Sequence, residues 1–309
     1  MRVAESGRFV HPAGARAPRQ YLERNLLSMH GRGMRLRAIA GSARVHARER
    51  DVESFDAVRL ASTLDVARNA DWLLLRDYDD NERDRSVVFL FRDELPRAVV
   101  KVRALSSTGS SLTSEAAALQ AIAPMLDVRL RPTVPRVEEF VTTESHELLV
   151  LSALPGRSLS ILMQRSLRPR VTHVPHLLAA GRWLGHFHRV TRTAAHGDFW
   201  PRNILFSPTN EVSGVVDWEH ANTLGSQWND VFLLPVLFAT DAPSWGMPDP
   251  QDEFRRAFTK RGALADAIDA YFRIYASEAG VERGMVETQF ARYLRATEPK
   301  LYDIYSGMR

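Results

Sequence analysis

The apolar residues of this chain change rhythm near residue 155, and that change restricts the fold more than any single motif does. Before it, "SVVFLF" (86–91), "AVVKVRAL" (98–105), "PTVPRVEEFV" and "HELLVLSAL" are β-branched or alternating runs of strand length. The first two flank a polar, proline-containing turn, "RDELPR", and so predict a hairpin. After residue 155, "SLSILMQRSL", "HLLAAGRWLGHFHRV", "DEFRRAFTKRG", "LADAIDAYFRIYASEAG" and "GMVETQFARYLRATEPKLYDIY" repeat their apolar residues at helical spacing. Strands first and helices later predict an α+β fold with two lobes rather than a βαβ alternation. The expected organisation is an extension over 1–50, a small β-rich N-lobe over 51–153 and a larger helical C-lobe over 154–309. Two helices are expected within the N-lobe. One runs over 51–70, and the other is "EAAALQAIAPML", with Thr113 or Ser114 as its N-cap and Pro124 at its end.

Composition matters mainly for what it removes. The chain has no cysteine, so disulfides, thiol nucleophiles and Cys-ligated metal sites are excluded. No apolar run approaches the roughly 18–20 residues that span a bilayer, and the first residues lack the apolar core of a secretory signal. A cytoplasmic location is therefore expected. The net charge of +4 hides an asymmetry, because residues 1–50 hold 11 Arg against Glu5, Glu23 and Glu49. We read this arm as a solvated, partly disordered extension. Nucleic acid or anionic membrane is the alternative that such a basic arm raises, and neither is the expected partner.

The chemistry concentrates in "HGDFWPRNIL" (196–205) and "SGVVDWE" (213–219). Short strands in the two segments, joined by a turn at "SPTNE", would form a hairpin with Asn203 at its entrance and Asp217 at its exit. An amide oxygen beside a carboxylate is a hard-oxygen site suited to Mg²⁺, which keeps several waters and binds substrate phosphates. Asp198 would lie beside that site, where a group accepting a hydroxyl proton belongs. Phosphoryl transfer also needs a cation on the donor phosphates. Lys101 is set in the β-branched run "AVVKV", and Glu115, at the start of the following helix, can hold its ammonium.

The block "HGDFWPRNIL…GVVDWE", with "VVKV" and "SEAAAL" upstream, resembles the aminoglycoside phosphotransferase and choline kinase group of the protein-kinase-like fold. The resemblance covers about residues 70–240. It implies Asp198 as catalytic base or hydroxyl-orienting group, Asn203 and Asp217 as Mg²⁺ ligands, Lys101 on the nucleotide phosphates and Glu115 as its partner. It further implies main-chain groups near Ser152 and Leu154 as the adenine contact, Asp230 as a buried brace of the catalytic loop, and His196 in a structural role there. Arg202, next to Asn203, is our own addition as a cation steadying the transferred phosphoryl group. The implied cofactors are ATP or GTP with Mg²⁺, and the implied partner is a small hydroxyl acceptor of sugar, nucleoside or aminoglycoside type. Antibiotic inactivation and metabolic phosphorylation both fit such a reaction. A nucleotide-binding pseudokinase or scaffold is the alternative.

Several residues read otherwise. The turn "DYDDNERDR" before "SVVFLF" has no glycine, unlike the glycine-rich phosphate loop of the kinase template, and "SSTGSS" (106–111) reads as a plain connector. No G-x4-G-K-[ST] occurs. His186 and His188 are two apart on a helix and cannot share a metal, so they read as packing or helix-end residues. Trp218 and the aromatics of the C-terminal helices read as core. The acceptor should lie against residues between about 225 and 309, with Trp228, Asp241 and Trp245 as candidates. Charges from 241 to 309 nearly balance, with ten Lys/Arg and 11 Asp/Glu, which gives no special support to a polycationic acceptor.

Overall fold

A computed structural model describes residues 3–6, 9–12, 14–26, 56–76, 85–107, 111–165, 170–224, 226–240, 263–297, 299 and 302–303. The fold is α+β, and the chain divides into two compact units. The first holds 1–120 and 135–153, and the second holds 121–134 and 154–309.

The first unit is built on an antiparallel seven-stranded sheet in the order β1-β2-β3-β4-β5-β7-β6. Its strands are β1 (Val3–Ser6), β2 (Phe9–Pro12), β3 (Asp71–Arg76), β4 (Arg85–Arg92), β5 (Leu95–Ala104), β6 (Val137–Thr142) and β7 (His146–Ser152). Because side chains alternate across a strand, Val88, Leu90, Ala98, Val100, Val102, Leu148 and Val150 share one face. They form a core closed by α2 (Asp56–Ser62), through Val58 and Ala61. The opposite face carries Leu73, Phe91 and Leu22 near α1 (Arg16–Tyr21), and Tyr21 packs its ring edge-on to Phe91. Lys101, Arg103 and Glu147 lie in that second, odd-numbered register.

Three sequence expectations need correction here. The extension read over 1–50 is not one throughout: β1 and β2 join the sheet, β2 pairing with the edge of β3 at Phe9–Leu75 and Val10–Leu74, while residues 27–50 lie outside the described residues. The helix expected over 51–70 is shorter. It covers 56–62, followed by a 3-10 turn at 65–67, with residues 51–55 outside the described residues. The helix α3 (Leu112–Ile122) starts earlier than expected: Ser111, not Thr113 or Ser114, caps it, its Oγ accepting the Thr113 N–H at 3.1 Å.

The second unit surrounds α5 (Val174–Thr191), which follows α4 (Leu159–Arg165). A small sheet, β8 (Arg157–Ser158), β9 (Ile204–Phe206) and β10 (Val212–Val215), has the order β10-β9-β8. Helices α6 (Trp228–Thr240), α7 (Ala263–Ala279) and α8 (Arg283–Thr297) complete it. "DEFRRAFTKRG", with Phe254 and Phe258, lies outside the described residues. Tyr271, Phe272, Tyr275 and Phe290 are buried, as the helical spacing predicts, while Tyr293 is half-buried against Phe232. No helix among the described residues is long and apolar enough to cross a membrane.

Helices α5 and α7 approach closely at two glycines. A Cβ on Gly181 would lie 2.7 Å from the Tyr271 ring, and one on Gly185 would lie 2.7 Å from both the Glu278 Cβ and the Tyr275 carbonyl oxygen. Backbone cannot yield as a flexible side chain can. Gly185→Ala is therefore expected to destabilise by about 1–3 kcal/mol. Gly284→Ala in α8 meets nothing within 4 Å and should be neutral or stabilising by about 0.4–1 kcal/mol. Chemical denaturation of the two variants checks the pair.

Buried histidines contribute to the response to pH. Burial lowers His173, His176 and His188 from the ordinary value of 6.5, and both ring nitrogens of His173 and the Nδ1 of His176 are buried with no hydrogen-bond partner. A histidine with a depressed folded pKa binds fewer protons folded than unfolded. Its contribution is thus complete above pH 6.5 and is lost as pH falls through the folded value. The melting temperature should decline from pH 7 to pH 5, and less steeply in His173→Phe.

Candidate active site

The segment 192–203 leaves α5 and is pinned from three sides. Ala195 exchanges two backbone hydrogen bonds with Asn222, at 2.7 and 3.0 Å. Asp230, in the first turn of α6 and fully buried, accepts the His196 N–H on Oδ2 at 2.6 Å and the Gly197 N–H on Oδ1 at 2.8 Å. Phe199, also fully buried, stacks on Trp183 with ring centroids 5.6 Å apart, and Trp183 stacks on Phe187 in turn. Trp183 donates its Nε1–H to Thr133 Oγ1 at 2.8 Å.

Gly197 has φ +84, and a Cβ there would approach the His220 carbonyl oxygen to 2.2 Å. Only glycine meets both conditions. His196 Nδ1 accepts the Asp198 N–H at 3.2 Å, so Nε2 carries the proton and donates it to the Val216 carbonyl at 3.0 Å. Burial lowers the His196 pKa, with Asp230 opposing it.

Asp198 and Asn203 meet directly. The Asn203 Nδ2 donates to Asp198 Oδ2 at 2.9 Å and to the Asp198 carbonyl at 3.1 Å. With Nδ2 so engaged, Oδ1 is the side-chain oxygen of Asn203 that could hold a cation. β9 and β10 pair antiparallel with Ile204 opposite Val215, and the Val216 N–H donates to the Asn203 carbonyl at 2.9 Å. The hairpin thus sets Asn203 at its entrance and Asp217 at its exit, on adjacent strand ends. Asp217 has φ +69, a left-handed conformation rare outside glycine. The fully buried Trp218 follows it, donating Nε1–H to the Val215 carbonyl at 2.8 Å, so this tryptophan is a packing residue. Burial raises the Asp198 pKa, and Asp217 adds to the rise against His196, His220 and the Asn203 hydrogen bond.

The oxygens of Asn203 and Asp217 are hard donors of the kind a magnesium ion takes, and Asp198 lies alongside. In the first unit, Lys101 Nζ donates to both oxygens of the buried Glu115, at 2.9 and 2.7 Å. Ser152 Oγ accepts the Arg136 N–H at 2.9 Å, and the Leu154 side chain lies 3.0 Å from where a Cβ on Gly214 would stand. Arg202 is exposed, its guanidinium 4.7 Å above the Trp200 ring. Trp228 is half-buried and stacks on Phe232 at 5.6 Å. Asp241 and Trp245 lie outside the described residues.

Sequence reasoning placed His186 and His188 as packing residues but gave them no partners. His186 Nε2 lies 2.7 Å from Asp127 Oδ2. His188 Nδ1 hydrogen-bonds the Tyr275 hydroxyl at 3.0 Å, and its Nε2 lies 3.7 Å from Asp230. Tyr275 thereby reaches the loop through two intermediaries. Nothing local in the sequence joins residues 188, 230 and 275.

The model of a phosphotransferase enzyme family, APH, matches residues 189–271. The match takes in Asp198, Asn203, Asp217 and Asp230, and over this stretch the chain is similar to that family. A comparison with curated proteins found no match.

The left-handed backbone at Asp217 gives a stability test separate from activity. A non-glycine residue there carries about 1–2 kcal/mol of strain. Asp217→Gly should be more stable than Asp217→Ala by about 1 kcal/mol, measured by urea denaturation. The reverse order would contradict the described conformation.

Proposed function

We propose, with that family as the premise, that this chain moves the γ-phosphoryl group of ATP or GTP to a hydroxyl of a small molecule. The observation that carries the reading is the Asn203–Asp198 hydrogen bond at the mouth of the β9–β10 hairpin. It holds Asp198 Oδ2 and leaves Oδ1 for the acceptor. In the reaction, the acceptor oxygen forms a bond to the γ-phosphorus while the bond from phosphorus to the bridging oxygen breaks. The hydroxyl proton passes to Asp198, and the nucleoside diphosphate departs. The raised pKa of Asp198, caused first by burial, suits a group that takes up a proton.

Asn203 Oδ1 and the Asp217 carboxylate would hold the magnesium ion, whose charge would offset that of the phosphate oxygens. Lys101, kept in place by Glu115, would bind the nucleotide phosphates, and the main chain near Ser152 and Leu154 would meet the base. Arg202 would add a cation on the phosphoryl group in transfer, moving off Trp200 to do so. The acceptor is of sugar, nucleoside or aminoglycoside type, and the reaction belongs to the cytoplasm of a cell that inactivates an antibiotic or phosphorylates a metabolic alcohol.

The test is phosphate transfer from ATP across a panel of aminoglycosides, nucleoside antibiotics, sugars and amino alcohols. With an accepted substrate, Asp198→Asn should lower kcat by about 10²–10⁴ while nucleotide binding persists. Nucleotide binding with no transfer to any compound would favour the scaffold instead.

A further inference from the structure

Glu115 is one of two buried carboxylates that fasten α3 to the sheet. The other is Glu147, on β7. Lys101 and Arg103 project on the same side of β5, and Arg103 pairs directly with Glu147 across the β5–β7 ladder. Arg103 and Glu147 are each only 7% exposed. Glu147 Oε2 accepts the Leu112 N–H at 3.0 Å and Arg103 Nη1 at 3.3 Å. Its Oε1 accepts Ser111 Oγ at 2.6 Å and Thr113 Oγ1 at 3.3 Å. Three of these donors belong to the first residues of α3 or its cap. The other arm of Arg103 donates to the Ser107 carbonyl in the connector before the helix.

A buried ion pair adds little net stability over an apolar pair of equal volume, so its use here needs another reason. The helix N-terminus offers unpaired N–H groups and a positive dipole end, and a carboxylate satisfies both. Leu112 and Glu115 are three residues apart, about 4.5 Å along the helix and on nearly the same face. Lys101 and Arg103 are two residues apart, about 6.6 Å along the strand. Lys101 on β5 and Glu147 on the neighbouring β7 attach the helix at two points, which stops it from sliding or turning, where one alone would leave it a pivot.

We propose that Glu147, held by Arg103, is a positioning residue for the Lys101–Glu115 pair, acting through the N-terminus of α3. The functional part rests on the phosphotransferase reading, in which Lys101 grips the nucleotide phosphates. In protein kinases the corresponding Lys–Glu pair is assembled by controlling the helix position from outside. In this chain the first unit fixes that helix with its own strand residue, so the pair stands assembled without an activating modification.

The test combines amide hydrogen exchange over residues 112–118 with binding of MgATP in the full-length chain. Glu147→Gln keeps shape and size. Thr113→Val removes one donor to Glu147 without touching the buried charge or the Ser111 cap, and covers the case in which Glu147→Gln fails to fold. Either should speed exchange in α3 more than in β4, and weaken MgATP binding roughly 5- to 50-fold for Glu147→Gln. In a Lys101→Ala background, the same substitution should change binding less than about 2-fold, because it acts through Lys101. Equal weakening in both backgrounds, or unchanged exchange at 115–118, would overturn the proposal. Wild-type protein that binds no nucleotide would remove the phosphotransferase reading, and exchange at 115–118 would still decide whether Glu147 sets the helix.

Discussion

A carboxylate with no access to water must find its donors within the fold, and Asp230 finds them on the loop that carries the chemistry. One oxygen holds the N–H of His196 and the other that of Gly197. Leaving such a group unpaired costs several kcal/mol, so α6 cannot pack without the loop, nor the loop close without α6. The rest of the site follows as geometry. The positive φ at 197 then turns the Asp198 N–H back to His196 Nδ1, while His196 Nε2 donates to the Val216 carbonyl. Asn203 then spans the loop to Asp198 and starts β9.

Much of this was legible in the residues because local chemistry dictates it. The alternation of "SVVFLF" and "AVVKVRAL" can be satisfied only by strands with one buried face, and the even-numbered positions of β4, β5 and β7 supply that face. The hairpin that joins Asn203 to Asp217 is short and sequential, so spacing alone foretold it. The Lys101–Glu115 pair was legible for a related reason: an ammonium within a β-branched run needs an anion, and the next helix offers one.

What escaped the sequence depends on partners distant along the chain. β2 joins the sheet at Phe9 and Val10, yet those residues sit in an arginine-rich stretch whose charge dominates any composition window. Ser111 caps α3 in place of Thr113 or Ser114, and Glu147, 36 residues on, orients it by taking its hydroxyl hydrogen. The His188–Tyr275 hydrogen bond spans 87 residues. In each case the local propensity permitted several outcomes and a remote group selected one.

The composition of the second unit bears on the order in which the protein can form during synthesis. Residues 121–134 belong to that unit although they leave the ribosome well before the rest of it. Leu126, Leu130 and Val134 are buried there, Thr133 receives the Trp183 indole, and Asp127 meets His186. None of those partners exists until α5 has been made, some 50 residues later. The sheet of the first unit can pair as soon as β7 emerges, whereas Asp127 and Thr133 must wait for α5 to meet their partners. Residues 121–134 therefore complete their packing after the sheet of the first unit, although they precede β6 and β7 in the chain.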